Sequence, residues 1–346
     1  MGTHIDTIVI QDKSLFSAQF IPSGSRALQE RTQLGCIMDE EDVLPEAVAA
    51  PLVVEFTEEE IESPQSDPLS SAEPRPEIEL PRAGPTPANR GRVVTIMNQK
   101  GGVGKTTTVI NVATHLALHG VRVLVVDCDQ QGNCATGLGI DKSRVMHTTR
   151  TLFTEPEQAA VCRHATAIPG LHLVVGERSL VGLEQELSTR LGRERCLSEG
   201  LESLLPHYDL ILLDTAPSLG LVTINALVAS DAVLVPVQTE FFALEGVAML
   251  SATIREVRRR LNPDLGFDGV MMTMHAPTLL NSQVMGQLKE TFGDLIVEPP
   301  IRRNIKLAEA PSEGIPIHIH APESNGGKDY RDLAVNLAQR WNLTLE

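Results

Sequence analysis

The run Lys100-Gly101-Gly102-Val103-Gly104-Lys105-Thr106-Thr107 gathers two lysines, three glycines and two hydroxyls into eight residues. Such a run can bind phosphate, because glycines let the backbone curl until successive N–H groups and a helix N-terminus converge on an anion. Lys105 adds a point charge, and the Thr106 hydroxyl is placed to ligate Mg²⁺. Two acidic motifs extend the set: Asp127-Cys128-Asp129-Gln130-Gln131-Gly132-Asn133, and the four apolar residues 210–213 ending in Asp214. A carboxylate at a strand tip holds Mg²⁺ through water at phosphoryl-transfer sites, the role expected of Asp214. Asp127 and Asp129 also suit the plainer job of capping the next segment, since Asp favours such turns. Phosphoryl transfer asks mainly for positioning and charge neutralisation, so two lysines, a threonine, two or three carboxylates and Mg²⁺ suffice. The general G-x-x-x-x-G-K-[ST] pattern fails at its first position, where Gln99 replaces glycine and Lys100 follows.

These residues need a frame to hold them. From Arg92 onward, short β-branched runs alternate with helix-length amphipathic segments, the signature of parallel βα units. Strands are expected at 93–97, 122–127, 171–175, 209–214, 232–237, 269–274 and 295–298, and helices at 106–119, 219–229, 244–261, 282–292 and 328–341. The fold class is therefore α/β, a mainly parallel twisted sheet flanked by helices within residues 91–346. Parallel sheets put ligands beyond the carboxyl ends of their strands, where both acidic motifs fall.

Residues 1–90 are a different polymer, with 17 acids, 6 bases and 10 of the 22 prolines. They are expected to form a largely disordered, Pro/Glu/Ser-rich acidic arm and linker, because so little apolar surface cannot offset chain entropy. Two apolar islands, residues 8–10 and 43–56, are the parts of that arm able to dock on something. The 346-residue chain carries a net charge of −16 and only 3% aromatic residues, which argues against a base-stacking nucleic-acid binder. Without an apolar run of about 20 residues, a soluble cytoplasmic protein is expected. Cysteines at 36, 128, 134, 162 and 196 form no CxxC pair, so reduced thiols are expected rather than disulfides or a zinc site.

The segment 100–107 resembles the deviant Walker A motif of the ParA/MinD superfamily of partition and positioning ATPases, and the likeness runs through most of residues 92–341. That resemblance implies a P-loop NTPase fold, ATP and Mg²⁺ as cofactors, slow ATP hydrolysis, and a homodimer that sandwiches two nucleotides. Residues Lys100, Gly101, Gly102, Val103, Gly104, Lys105, Thr106 and Thr107 bind the nucleotide in this reading, with Lys100 reaching the phosphates held by the other subunit. Segment 127–132 is similar to the family's D-x-D-P-Q-G, with Gln130 in place of proline. By that likeness Asp129 orients or deprotonates the attacking water, which makes Lys100, Lys105 and Asp129 the catalytic set. Asp127 supports a metal shell shared with Thr106, Asp129 and Asp214. Ala216 replaces the first of two prolines common after the aspartate of the third motif.

Segments 233–246 and 302–312 look like ParA rather than MinD. The resemblance places Arg302 and Asn304 near the base and Lys306 on DNA phosphate. Arg255, Arg258 and Arg259 share one helix face; they either offset the helix dipole or, doubled in a dimer, bind phosphates without sequence preference. Residues 275–278 lack the arginine that ParA relatives usually carry there. The function expected is chromosome or plasmid partition by a nucleoid-associated ATPase that binds double-stranded DNA non-specifically and is stimulated by a ParB-like partner. Alternatives are a positioner of a chemoreceptor array or microcompartment, a MinD-like membrane ATPase, and an iron–sulfur reductase of the nitrogenase iron-protein type. The single base among residues 339–346 disfavours the membrane reading. His318 and His320 are expected to alternate on a strand as edge or core residues.

Overall fold

A computed structural model describes residues 81–86, 90–240 and 242–346. The acidic stretch, both apolar islands and Cys36 lie outside the described residues. The strands are β1 (Arg92–Ile96), β2 (Val123–Cys128), β3 (His164–Ala165), β4 (Leu171–Val174), β5 (Leu210–Thr215), β6 (Ala232–Gln238), β7 (Gly266–Thr273) and β8 (Ile296–Val297). The helices are α1 (Lys105–Leu118), α2 (Asn133–Gly137), α3 (Thr149–Thr154), α4 (Leu180–Glu186), α5 (Cys196–Glu202), α6 (Leu221–Ala229), α7 (Ala243–Arg260), α8 (Leu279–Phe292), α9 (Ile305–Glu309), α10 (Ile317–His320) and α11 (Asn325–Arg340).

One sheet takes the order β3-β4-β2-β5-β1-β6-β7-β8, parallel except for the β3–β4 pair. Its central strands are buried along their whole length and read as continuous apolar runs because helices cover both faces. Alternation then sorts the side chains. Val94, Ile96, Val123, Val125, Leu210 and Leu212 face α1 and α11, while Val93, Leu124, Val126, Ile211 and Leu213 face the α3–α6 layer. Beyond β1, Val233, Val235, Val237 and Met272 pack under α7 and α8. No helix among the described residues is long and apolar enough to cross a membrane, and the apolar face of α11 (Tyr330, Leu333, Leu337) is buried in the core beside α1.

Among the departures from the sequence expectation, three bear on how the sheet and its flanks are held. Strand β7 begins at Gly266, three residues early, and a bulge at Asp268 separates the pairs Val233↔Phe267 and Leu234↔Gly269. Glycines at 266 and 269 disguise a strand, and the bulge turns the Asp268 carboxylate toward Arg92 of β1 and Trp341 after α11. Residues 81–86, which the sequence reading gives to the linker, run beside β7: the Phe267 amide donates to the Pro81 carbonyl at 2.9 Å, and Arg92 donates to the Gly84 carbonyl at 3.2 Å. The third departure corrects an expectation, since residues 317–320 form the short helix α10 and no strand. Pro316 enters it, the Ile317 amide donates to Asn111 Oδ1 at 2.9 Å, and Ile317 is buried while Ile319 is half exposed, a split that strand alternation forbids.

Candidate phosphate and metal site

Register brings the motifs together. Strands β2, β5 and β1 are neighbours, and Asp214 at the tip of β5 pairs with Asp127 on one side and Ile96 on the other. The loop that follows β1 therefore lies above both carboxylates, at the carboxyl end of the sheet. The loop is pinned by side chains: Asn98 Oδ1 accepts from the Lys100 amide at 2.9 Å, and its Nδ2 donates to the Pro236 carbonyl at 2.8 Å. Thr273 Oγ1 donates to the Val103 carbonyl at 2.9 Å, and Gln238 Nε2 to the Gly102 carbonyl at 3.2 Å. Gly104 caps α1 at φ 89°, a left-handed turn that an L side chain adopts only with strain. Helix α1 has no side-chain N-cap, so its first N–H groups remain free to serve an anion.

Lys105 is only 7% exposed, and its Nζ donates to the Lys100 carbonyl at 3.2 Å. Burial lowers its pKa, against the attraction of Asp214 and Asp129. Thr106 Oγ1 donates to Asp214 Oδ2 at 2.6 Å. The second Asp214 oxygen, Oδ1, is buried with no hydrogen-bond partner. Asp127 accepts the amides of Asp129 and Cys134, each at 3.0 Å. Burial pushes both Asp127 and Asp214 well above the ordinary carboxylate range, and the charge each feels from neighbouring aspartates adds to it. Two desolvated carboxylates, an orphaned oxygen and an adjoining threonine hydroxyl fit a hard divalent cation, which would supply the missing positive charge. Asp129 is less buried, and its Oδ1 accepts the Gln131 amide at 3.0 Å in an Asx turn.

Lys100 goes elsewhere. Its side chain is 54% exposed and forms an ion pair with Glu240 beyond β6, so the two loop lysines point to different places. Glu240 lies in the family-like segment 233–246, but only the fold brings it to the loop.

Beside α1 a cleft of about 240 Å³ is walled by Thr107, Ile110, Leu307, Pro311, Ile315 and Pro316. Arg302 and Asn304 do not line it. Arg302 clasps Asp329 of α11 through Nη2–Oδ1 at 2.6 Å and Nε–Oδ2 at 3.0 Å, while Asn304 caps α9 by accepting the Lys306 amide at 2.8 Å. Lys306 pairs with Glu309 at 2.7 Å on the surface. Of the α7 cluster, Arg255 is exposed, Arg258 donates to the Leu265 carbonyl, and Arg259 pairs with Glu256 at 2.8 Å. A larger groove of about 670 Å³, between residues 82–85 and α11, lies at the other end of the sheet from this chemistry. The cysteines at 128, 134, 162 and 196 are buried and free, so none stands at a surface where two subunits could share an iron–sulfur cluster.

Comparison with known proteins agrees with this geometry. A family described as "AAA domain" matches residues 91–267. The chain is 44% identical over 249 residues to the sporulation initiation inhibitor protein Soj of Bacillus subtilis, covering 72% of this chain and 98% of that one. It is 41% identical over 256 residues to the chromosome partitioning protein ParA of Caulobacter vibrioides, covering 73% and 96%. Among solved structures it is similar to cobyrinic acid a,c-diamide synthase from Mycobacterium smegmatis with bound ADP and magnesium, at 32% identity and TM-score 0.64, covering 73% and 96%.

Proposed function

Because the chain belongs to the ParA/Soj family of partition ATPases, we propose that it cycles between a nucleotide-free form and an ATP-bound dimer that holds DNA. In this reading the loop 100–107 and the start of α1 receive the phosphates, Lys105 sits beside them, and Thr106 and Asp214 hold Mg²⁺ with Asp127 behind them. Mg²⁺ held by Thr106 and Asp214 would supply positive charge against that developing on the phosphoryl group. Asp129 orients the attacking water from the edge of the site. The apolar cleft walled by Leu307, Pro311 and Pro316 accepts the flat base, a role that fits it better than Arg302 or Asn304, which are engaged elsewhere.

The observation that carries the dimer is the divergence of the two lysines. Lys105 is folded into its own loop, whereas Lys100 reaches outward to a half-exposed partner. An exposed ion pair of this kind is worth at most ~1 kcal/mol, so a facing subunit's phosphates can easily take Lys100 from Glu240. Arg255, Arg258, Arg259 and Lys306 remain the candidates for sequence-independent contact with the duplex, each doubled by dimerisation. A partner bound to the cargo, ParB-like for a chromosome or plasmid, stimulates hydrolysis and releases the DNA. Residues 91–346 form the ATPase unit, residues 81–86 run along its strand β7, and the acidic stretch precedes them in the sequence.

The test uses the hydrolysis-impaired Asp129→Ala variant and random duplex DNA, with ATP, with ADP and without nucleotide, across a salt series. Binding only with ATP, weakening steeply as salt rises, is expected. Intact ATP-dependent dimers that bind no DNA in any state would assign the track to a membrane or a protein surface instead.

A further inference from the structure

Cys134 stands in the middle of the carboxylate pair. Its amide donates to Asp127 Oδ2 at 3.0 Å, and its Sγ donates to Asp214 Oδ2 at 3.4 Å. One ligand atom from each of Asp127, Cys134 and Asp214 lies within 4.8 Å of the other two, and all three residues are completely buried. The geometry is enforced from behind: a Cβ on Gly132 would meet the Gly176 carbonyl oxygen at 2.3 Å, and one on Gly176 would meet Asp127 Oδ1 at 2.8 Å. Asp214 Oδ1 is the second pointer to a ligand, a buried carboxylate oxygen with nothing to accept from. Cys128, next to Asp127 in sequence, packs into the opposite core layer, so among the described thiols Cys134 alone joins this group.

We propose that Asp127, Cys134 and Asp214 form a thiolate–carboxylate site for a zinc-class cation, exclusive with Mg²⁺ on the same residues. Magnesium demands oxygen ligands and keeps much of its water, so it gains nothing from sulfur. Zn²⁺ and Cd²⁺ are softer and take one thiolate with two carboxylates readily, leaving a fourth position beside the Thr106 hydroxyl, 2.6 Å from Asp214. As the metal–sulfur bond forms, the thiol proton leaves to solvent and no electrons are transferred. Asp214 and Thr106 can serve only one cation at a time, so a thiophilic ion locks the site out of the magnesium arrangement. The cation site itself stands without the partition reading; its competition with Mg²⁺ rests on that reading.

The experiment titrates the full-length, nucleotide-free protein with Cd²⁺ alone and follows the ultraviolet thiolate-to-metal charge-transfer band. One equivalent should bind with the band, which a Cys36→Ser variant retains and a Cys134→Ala variant loses. Cys134→Ala should weaken Cd²⁺ binding by more than the roughly 10–100-fold that loss of an outer-shell partner costs. Cys134→Ser, which keeps the side-chain shape, serves as the folded control by circular dichroism and should also lose the band. Excess Mg-ATP should suppress the band in the natural sequence. No band, or a band that survives in Cys134→Ala or Cys134→Ser, would overturn the site. A Cys134-dependent band indifferent to Mg-ATP would keep the site and overturn its competition with magnesium.

Discussion

Gly101 separates the requirements of the single chain from those of the proposed dimer. A Cβ built there meets nothing within 4 Å, and its backbone does not need the left-handed region that Gly102 and Gly104 occupy. The lone chain therefore tolerates a side chain at 101, whereas a subunit packed across the loop would not. Gly101→Val should leave the melting temperature within about 2 °C, as surface changes of this kind do, and abolish ATP-dependent dimerisation in sedimentation velocity. An ATP dimer of unchanged affinity in that variant would remove the loop from the interface. At this scale the meeting of the glycine-rich loop with Asp127 and Asp214 follows from local motifs at the ends of neighbouring strands. Cys134 and the wall residues 315–317 lie outside the motifs, and although segments 233–246 and 302–312 resemble the family, the contacts of Glu240, Leu307 and Pro311 exist only after long-range pairing. Arg302 shows the converse: the family resemblance of its segment puts it near the base, whereas in this structure its guanidinium pairs with the Asp329 carboxylate.

Among the elements, β7 shows what a patterned reading loses. The seven strands expected from the sequence all exist, because most are short apolar runs buried within the sheet and bounded by turn residues. The two-residue edge strand β3 and the short helices α2–α5, α9 and α10 escaped, being too short for a period to declare itself. At β7 the bulge places Asp268 against Arg92 at 3.0 Å and Trp341 Nε1 at 2.6 Å, with Arg92 and Asp268 about 5% and 4% exposed. One carboxylate thus ties β1, β7 and the end of α11 at the amino end of the sheet. Removing it leaves a buried guanidinium without its counter-charge, at a cost of about 3–5 kcal/mol. Asp268→Ala should lower the denaturation midpoint accordingly in urea, with nucleotide affinity of the folded fraction unchanged, because the phosphate loop lies at the opposite end of the strands. A loss below ~1 kcal/mol would mean that water enters and solvates Arg92.

For the whole molecule, the sheet divides labour, with chemistry at its carboxyl end and structural polar networks elsewhere, and one of those networks should set its acid limit. The rings of His115 of α1 and His318 of α10 lie tilted with centroids 5.0 Å apart, and the His119 ring is 4.3 Å from that of His115. Burial depresses His115 and His318 to about 4; the other histidines and Arg331 add to this, and only the His318 bond to the Asn111 carbonyl opposes it. In the unfolded chain both rings titrate near 6.5, so between pH 6.5 and 4 the unfolded state binds more protons than the native one. Stability conferred by this cluster is therefore complete above about pH 6.5 and declines as pH falls toward 4, by on the order of 2–3 kcal/mol for each ring. Replacing His318 by Gln, which stays neutral and can still donate to the Asn111 carbonyl, should flatten that decline. Urea unfolding free energies at pH 7.5, 6, 5 and 4.5 provide the measurement. If the two proteins lose stability in parallel through this window, acid sensitivity belongs to other groups and the histidines are already charged in the native state. A shallower slope in His318→Gln, with equal stability at pH 7.5, would locate the acid weakness of the fold at the α1–α10 contact.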